Sequence, residues 1–247
     1  MIGISRREML AGMVALGLGQ MLPGKAVAAE RHEKKKVIVT GGHPGDPEYG
    51  CGGTIARLTD AGDEVALLYL NQGDPKATAA DNPKAPRVAE ASKACAILKA
   101  RPLYAGQIDG HAIIDAEHYE EFRRLIEREQ PDAVFTHWPI DNHAYHRAMS
   151  LLVYEAWLKM RKKFALFYYE VSDGEDTVQF SPTIYVDITE TAAQKRSACY
   201  AHASQAPGKF YALQEMVTRM RGIESGHRQA EGFVRHIQSP AFPLPTN

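Results

Sequence analysis

The chain has 247 residues, 45% hydrophobic and 24% charged, with 29 basic against 30 acidic side chains. This is globular composition, with length enough to bury a sizeable single core. The near-neutral balance, with no basic stripe interleaved with aromatics, excludes the electrostatic footprint of a nucleic-acid binder and favours small-molecule chemistry.

The amino terminus reads differently from the rest. Arg6 and Arg7 precede an apolar, glycine-rich run from Ala11 to Leu22, and Ala26-Val27-Ala28 offers small residues for cleavage. A charged start, a short apolar middle and a small-residue end predict an export signal over residues 1–29. The paired arginines predict the twin-arginine route and a periplasmic destination. The apolar run is too short for a stable membrane span after processing; a basic amphipathic helix is the competing reading. Residues 30–247 read as one domain without an internal repeat or linker.

Val37–Thr40 is a β-branched run that predicts a buried first strand. A glycine-rich loop follows from Gly41 to Gly53, then a helix from Thr54 to about Ala61 that Gly62 ends. Val65–Leu70 predicts the second strand, completing a βαβ unit with parallel pairing. Asp74–Pro86 is polar with three prolines and reads as a surface loop near the site. Helical spacing follows over Arg87–Lys99 and Tyr119–Gln130, then a strand over Ala133–Thr136 and a helix from His143 to about Lys162. Strands are predicted at Phe164–Glu170 and Ile184–Ile188, and helices at Glu190–Ala201 and Phe210–Val234. The order predicts an α/β fold, a Rossmann-like three-layer sandwich with a mostly parallel sheet. Cys51, Cys95 and Cys199 are odd in number and widely spaced, so they read as small buried residues rather than disulfides or a zinc knuckle.

Two segments carry candidate chemistry. His43-Pro44-Gly45-Asp46 directly follows the first strand, where ligands bind in open α/β sheets. An imidazole and a carboxylate three residues apart in a tight loop can converge on one cation. His143 and His146, after the strand ending near Thr136, share one face of a helix's first turn, with Asp141 or Asn142 as its N-cap. His, carboxylate and His with one open position make a catalytic-zinc donor set. A lone loop histidine is more often a solvated or capping side chain, and His-x-x-His alone is a weak signal, so spacing by itself leaves the metal site open. Gly50-Cys51-Gly52-Gly53 lacks the order of a dinucleotide loop, because Ile55 fills the last glycine position, and it has no P-loop Lys-Ser/Thr. A closely packed turn into a helix accounts for it.

The stretch VIVTGGHPGDPEYGCGGTIARLTDAGDEVALLYLNQGD resembles the opening of the LmbE-like, or PIG-L, family of de-N-acetylases. RVAEASKACAIL, QIDG, QPDAVFTHWPIDNHAYHRA and KRSACYAHASQ are similar to later family stretches in the same order, so the likeness spans roughly Val37 to Gln205. The resemblance implies a zinc-dependent hydrolase that removes acetyl from N-acetylglucosamine-type substrates. It places one zinc on His43, Asp46 and His146, an assisting histidine at His143, and sugar-site residues at Arg87 and Asp109.

Three acidic positions of the family differ here. Gly45 stands where family members carry the aspartate that acts as general base, and Pro47 stands where they carry a glutamate after the retained Asp46. Tyr145 stands where an aspartate orients the assisting histidine. A general base commonly contributes about 10²–10⁴-fold. Asp141 is the expected replacement because it lies close to both histidines in sequence. Glu48 is the second choice, its side chain expected to point away along the glycine loop. The reading is a metal-dependent hydrolase of an acylated amino sugar or related glycoside, with an ester as another substrate class. The alternative is a metal-retaining, catalytically impaired sugar-binding or regulatory relative. Self-association stays open.

Overall fold

The computed structural model describes residues 33–74, 85–172 and 177–245. The amino-terminal segment expected to direct export, and most of the polar loop expected over Asp74–Pro86, lie outside these residues. Six α-helices and seven strands make up the described chain. They are β1 (Lys36–Gly41), α1 (Asp46–Asp60), β2 (Glu64–Tyr69), α2 (Pro86–Ile97), β3 (Arg101–Tyr104) and α3 (Ala116–Glu129). Then come β4 (Ala133–His137), α4 (Ala144–Lys159), β5 (Ala165–Tyr169), β6 (Ile184–Asp187), α5 (Ala192–Tyr200), α6 (Pro207–Ser225) and β7 (Ala230–Arg235).

All seven strands join one sheet in the order β3-β2-β1-β4-β5-β7-β6. The pairings from β3 through β5 are parallel, and β7 runs antiparallel to both neighbours. Alternate side chains leave opposite faces of each strand. Val37, Val39, Leu67, Phe135 and Phe167 therefore pack one way, against Ile55 of α1 and Ala94 of α2. Ile38, Leu68, Val134 and Leu166 pack the other way, against Ile126 of α3 and Leu152 and Trp157 of α4. Trp157 is fully buried and donates its indole N–H to the Phe164 carbonyl at 3.0 Å. The result is the expected three-layer α/β sandwich with a mostly parallel sheet. All three cysteines are free and buried.

Three elements differ from the sequence pattern. The glycine-rich run is not a loop to Gly53: α1 begins at Asp46, and the glycines are its packing face. A Cβ at Gly50 would stand 2.3 Å from Tyr169 Cδ2, and one at Gly53 would stand 2.5 Å from Ile188 Cγ2. Only glycine lets this helix lie so close to the sheet. β3 escaped notice because it is four residues long and holds Pro102, which an edge strand tolerates. The helix predicted over Phe210–Val234 stops at Gly226, a left-handed C-cap with φ 80°, and the chain returns as β7.

β7 also carries a polar anchor. Glu231 is buried and accepts N–H groups of Gly53 (2.9 Å) and Thr54 (2.7 Å) in α1, while Lys195 Nζ of α5 donates to it at 2.6 Å. Removing one charge of a buried, hydrogen-bonded pair strands the other in low dielectric, at a cost of about 3–5 kcal/mol. Glu231→Gln should therefore lower the unfolding free energy by about 3 kcal/mol or more in urea denaturation. A change below about 0.5 kcal/mol would show that the pair does not hold α1 and α5 to β7.

Candidate metal and catalytic site

β1 pairs with β2 on one side and β4 on the other, so the chain reverses direction across the sheet between them. A crevice opens at the carboxyl ends of such a strand pair. His43 to Asp46 enter it from β1, and His137 to His146 enter it from β4. The two loops meet closely: a Cβ at Gly42 would stand 3.0 Å from Tyr145 Cβ.

Asp46 Oδ2 is the meeting point. It accepts the His43 backbone N–H at 2.8 Å and lies 3.3 Å from both His146 Nε2 and His137 Nε2, and 3.9 Å from His43 Nδ1. Burial would raise its pKa, but the imidazoles of His146 and His137 outweigh that and hold it well below the usual carboxylate range. Burial likewise opposes charge on His146, yet Asp46 and Asp141 raise it to about 10. Two sets of ligand atoms lie within 4.8 Å of one another: His43, His143 and His146, and Asp46, His137 and His146. The expected trio of His43, Asp46 and His146 is spanned by these two overlapping sets rather than forming one.

The tautomers discriminate among the donors. Asp141 Oδ2 faces His146 Nδ1 at 3.1 Å, which holds a proton there and makes Nε2 the nitrogen directed at Asp46. Without an ion a second proton bridges the 3.3 Å between Nε2 and Asp46 Oδ2, at the place a cation would take. A carboxylate behind a histidine whose other nitrogen faces a second carboxylate is the habitual support of a metal-binding imidazole. The donor set therefore fits a divalent ion. His137, which the sequence reading passed over, differs. Its Nε2 accepts the Gly42 N–H at 3.0 Å, and its ring stacks on His146 at 3.9 Å with 7° between planes. Two parallel stacked rings cannot both direct in-plane lone pairs at one ion, so His137 buttresses His146. Burial first, then the charge on His146, lower its pKa to about 4. The signal that could have found it is its place as the last residue of β4, on the strand end that opens into the crevice.

The structure moves several sequence expectations. Asp141 is expected from its spacing to take a proton from water, but it stands behind His146. Its Oδ1 accepts the His143 N–H at 2.7 Å, and its Oδ2 receives the Thr177 hydroxyl at 2.9 Å and faces His146. Nor does Asp141 or Asn142 cap α4. His143 does, its Nδ1 accepting the Tyr145 N–H at 3.3 Å. Burial first, then His146 and His43, lower the His143 pKa, so its neutral ring presents Nε2–H. Glu48 does not point away along a loop. It is fully buried, with Oε1 receiving the Tyr69 hydroxyl at 2.8 Å and facing His202 Nε2 at 2.9 Å. Asp109 and Arg87 do reach the site: Asp109 Oδ1 lies 3.1 Å from His43 Nε2, and Arg87 Nη2 donates to the Pro44 carbonyl at 3.0 Å. Tyr145 lies edge-on to His43, with ring centroids 4.9 Å apart.

The same arrangement of sheet and strand-end loops has known counterparts. Residues 38–157 match the PIG-L family, described as GlcNAc-PI de-N-acetylase. Among solved structures, a conserved protein from Thermus thermophilus superposes with a TM-score of 0.71 at 24% identity, covering 86% of this chain and 99% of that one. The N,N'-diacetylchitobiose deacetylase of Pyrococcus horikoshii superposes with a TM-score of 0.68 at 24% identity, covering 83% of this chain and 87% of its own. These two likenesses establish the fold. In sequence, diacetylchitobiose deacetylase of Thermococcus kodakarensis is 31% identical over 226 residues, which are 81% of this chain and 83% of that one. With that identity spread over most of both chains, and the family's motif positions folded into one crevice, the chain belongs to the PIG-L, or LmbE-like, family of de-N-acetylases.

Proposed function

We propose that this chain is a metal-dependent amide hydrolase that removes an acyl group from an N-acylated amino sugar or a related glycoside, with zinc as its ion. The observation that carries the reading is the Asp46–His146 contact, in which a carboxylate and an imidazole nitrogen, each positioned by its own hydrogen bonds, face each other at a strand-end crevice. His43, Asp46 and His146 would hold the ion, which when bound polarises the acyl carbonyl and acidifies water.

The remaining chemistry belongs to side chains. His143, with Nδ1 taken by the Tyr145 N–H, offers Nε2–H as a neutral donor to the negative charge that develops on the acyl oxygen. Asp141 acts through His146, holding its proton at Nδ1 and its ring in place. Arg87 and Asp109, on either side of the His43 loop, are placed to orient the sugar. Support for an amino-sugar substrate comes from the activity named for the Thermococcus relative.

His43→Ala and His146→Ala should each abolish stoichiometric zinc and acyl release from N-acetylated sugars, with the circular-dichroism spectrum unchanged. Full zinc occupancy in both variants would remove these residues from the ligand set. Asp141→Asn should weaken zinc affinity by about 10–100-fold in competition against a chelator, as expected for an outer carboxylate, while the zinc-saturated variant keeps most of its turnover. Unchanged affinity with lost turnover would return Asp141 to the proton-transfer role.

We further propose that residues 1–29 direct export to the periplasm through the twin-arginine route, on the strength of Arg6, Arg7 and Ala26-Val27-Ala28. Lysine at both arginine positions should leave unprocessed precursor in the cytoplasm. Normal processing of that variant would mean another route.

A further inference from the structure

Hydrolysis at this crevice needs a proton acceptor, and among the described residues each nearby carboxylate has another engagement. Asp46 faces the imidazole cluster, Asp141 lies behind His146, Asp109 faces His43, and Glu48 is held through Oε1 by Tyr69 and His202. Beside Asp46 is a cavity of 270 Å³ lined by residues that include Gly45, Tyr49, Arg87, His202 and Phe210. Gly45 forms its floor. With φ at +117° this position favours glycine, and a Cβ there would meet only His202 Cδ2, at 3.9 Å. Among the described residues, no side chain therefore enters that space from Gly45.

One wall of the cavity carries a donor without an acceptor. Arg87 has no carboxylate within ion-pairing distance among the described residues, and its buried Nε–H has no hydrogen-bond partner there. Its guanidinium lies against Gly73 and is anchored through Nη2 on the Pro44 carbonyl at 3.0 Å. His202 turns its Cδ2 edge toward Gly45, its Nε2 engaged with Glu48 Oε1 at 2.9 Å. A buried donor without an acceptor is costly. A positioned guanidinium beside unfilled space is a carboxylate receptor.

We propose that this cavity is a carboxylate subsite, and that the carboxylate which fills it, contributed by the substrate, is the proton acceptor of the reaction. The inference rests on the hydrolase reading above and names its substrate class: an N-acylated amino sugar that also bears a carboxylate. The carboxylate takes a proton from water as the water oxygen bonds to the acyl carbon and the carbonyl π pair moves onto the acyl oxygen. That pair returns as the C–N bond breaks, and the carboxylic acid delivers its proton to the leaving nitrogen. The products are the free acyl acid and the amine, and the carboxylate is regenerated.

A free carboxylate should substitute for the substrate's own. Zinc-loaded wild type acting on a neutral N-acetylated amino sugar should accelerate saturably, by about 10²-fold or more, when formate replaces chloride at constant ionic strength. A carboxylated N-acetyl amino sugar should react without formate and gain nothing from it. Arg87→Met, and Gln205→Trp as a second variant that fills the cavity from another wall, should each abolish the formate effect. Binding of ¹³C-formate by NMR gives a readout apart from turnover: one saturable site per chain, lost in both variants. Indifference to formate, together with no preference for carboxylated substrates, would overturn the proposal and leave the hydrolase reading standing. If no substrate reacts under any condition, the hydrolase reading fails, and formate binding alone then decides whether the subsite exists.

Discussion

One carboxylate oxygen ties the two halves of this sheet together. Asp46 Oδ2 takes a backbone N–H from its own loop and faces two imidazoles, His137 and His146, that arrive from the far side of the strand reversal. The interaction depends on three prior constraints. The strand order must reverse between β1 and β4 so that a crevice exists. The loop after β1 must turn at Gly45 so that α1 starts with Asp46 pointing inward. The loop after β4 must be held by Asp141 so that His146 presents the correct nitrogen.

The packing of α1 explains why the first of these loops is so short. Glycines at 50, 52 and 53 let the helix press against Tyr169, Lys195 and Ile188 at distances that no other residue permits. The carboxylate of Glu231 then receives two of its backbone N–H groups from below. A helix seated that deeply carries its first residue, Asp46, down to the level of the strand ends. Glu48, one turn in, is buried by the same descent, and its carboxylate is met by Tyr69 and His202 rather than by solvent.

The electrostatics of the crevice are those of a site built around charge it does not itself balance. Asp46 and Asp141 bracket His146 and raise it to about 10, so the cluster holds a proton where a cation can compete for the same lone pair. His137, at about 4, stays neutral against it. Neutral and chargeable imidazoles thus sit in contact: Asp141 stands behind His146, whereas His137 is fully buried with no carboxylate at its Nδ1. That division is what the proposed roles rest on: His146 toward an ion, His137 in support, and His143 donating a hydrogen bond.

Local pattern by itself determined the fold class and most elements, and it singled out the two loops that meet at the crevice. β-branched runs and helical spacing are properties of a few consecutive residues, and the alternation of strand and helix dictates a parallel sheet. His43, Asp46, His143 and His146 stood out as candidates because each lies within a few residues of a strand end, and Arg87 and Asp109 because of family resemblance. Tertiary structure alone decided what the remaining polar residues do. Asp141 is five residues from His146, close enough to suggest a partner in proton transfer, yet its direction depends on Thr177, which lies 36 residues away. Glu48 meets a histidine 154 residues distant, and His137 is defined by a backbone N–H 95 residues earlier. The extent of the glycine face of α1 depends on Ile188 and Tyr169 in the same way. Sequence spacing reports which side chains are near along the chain, but the direction of a lone pair is set by partners that only folding brings together.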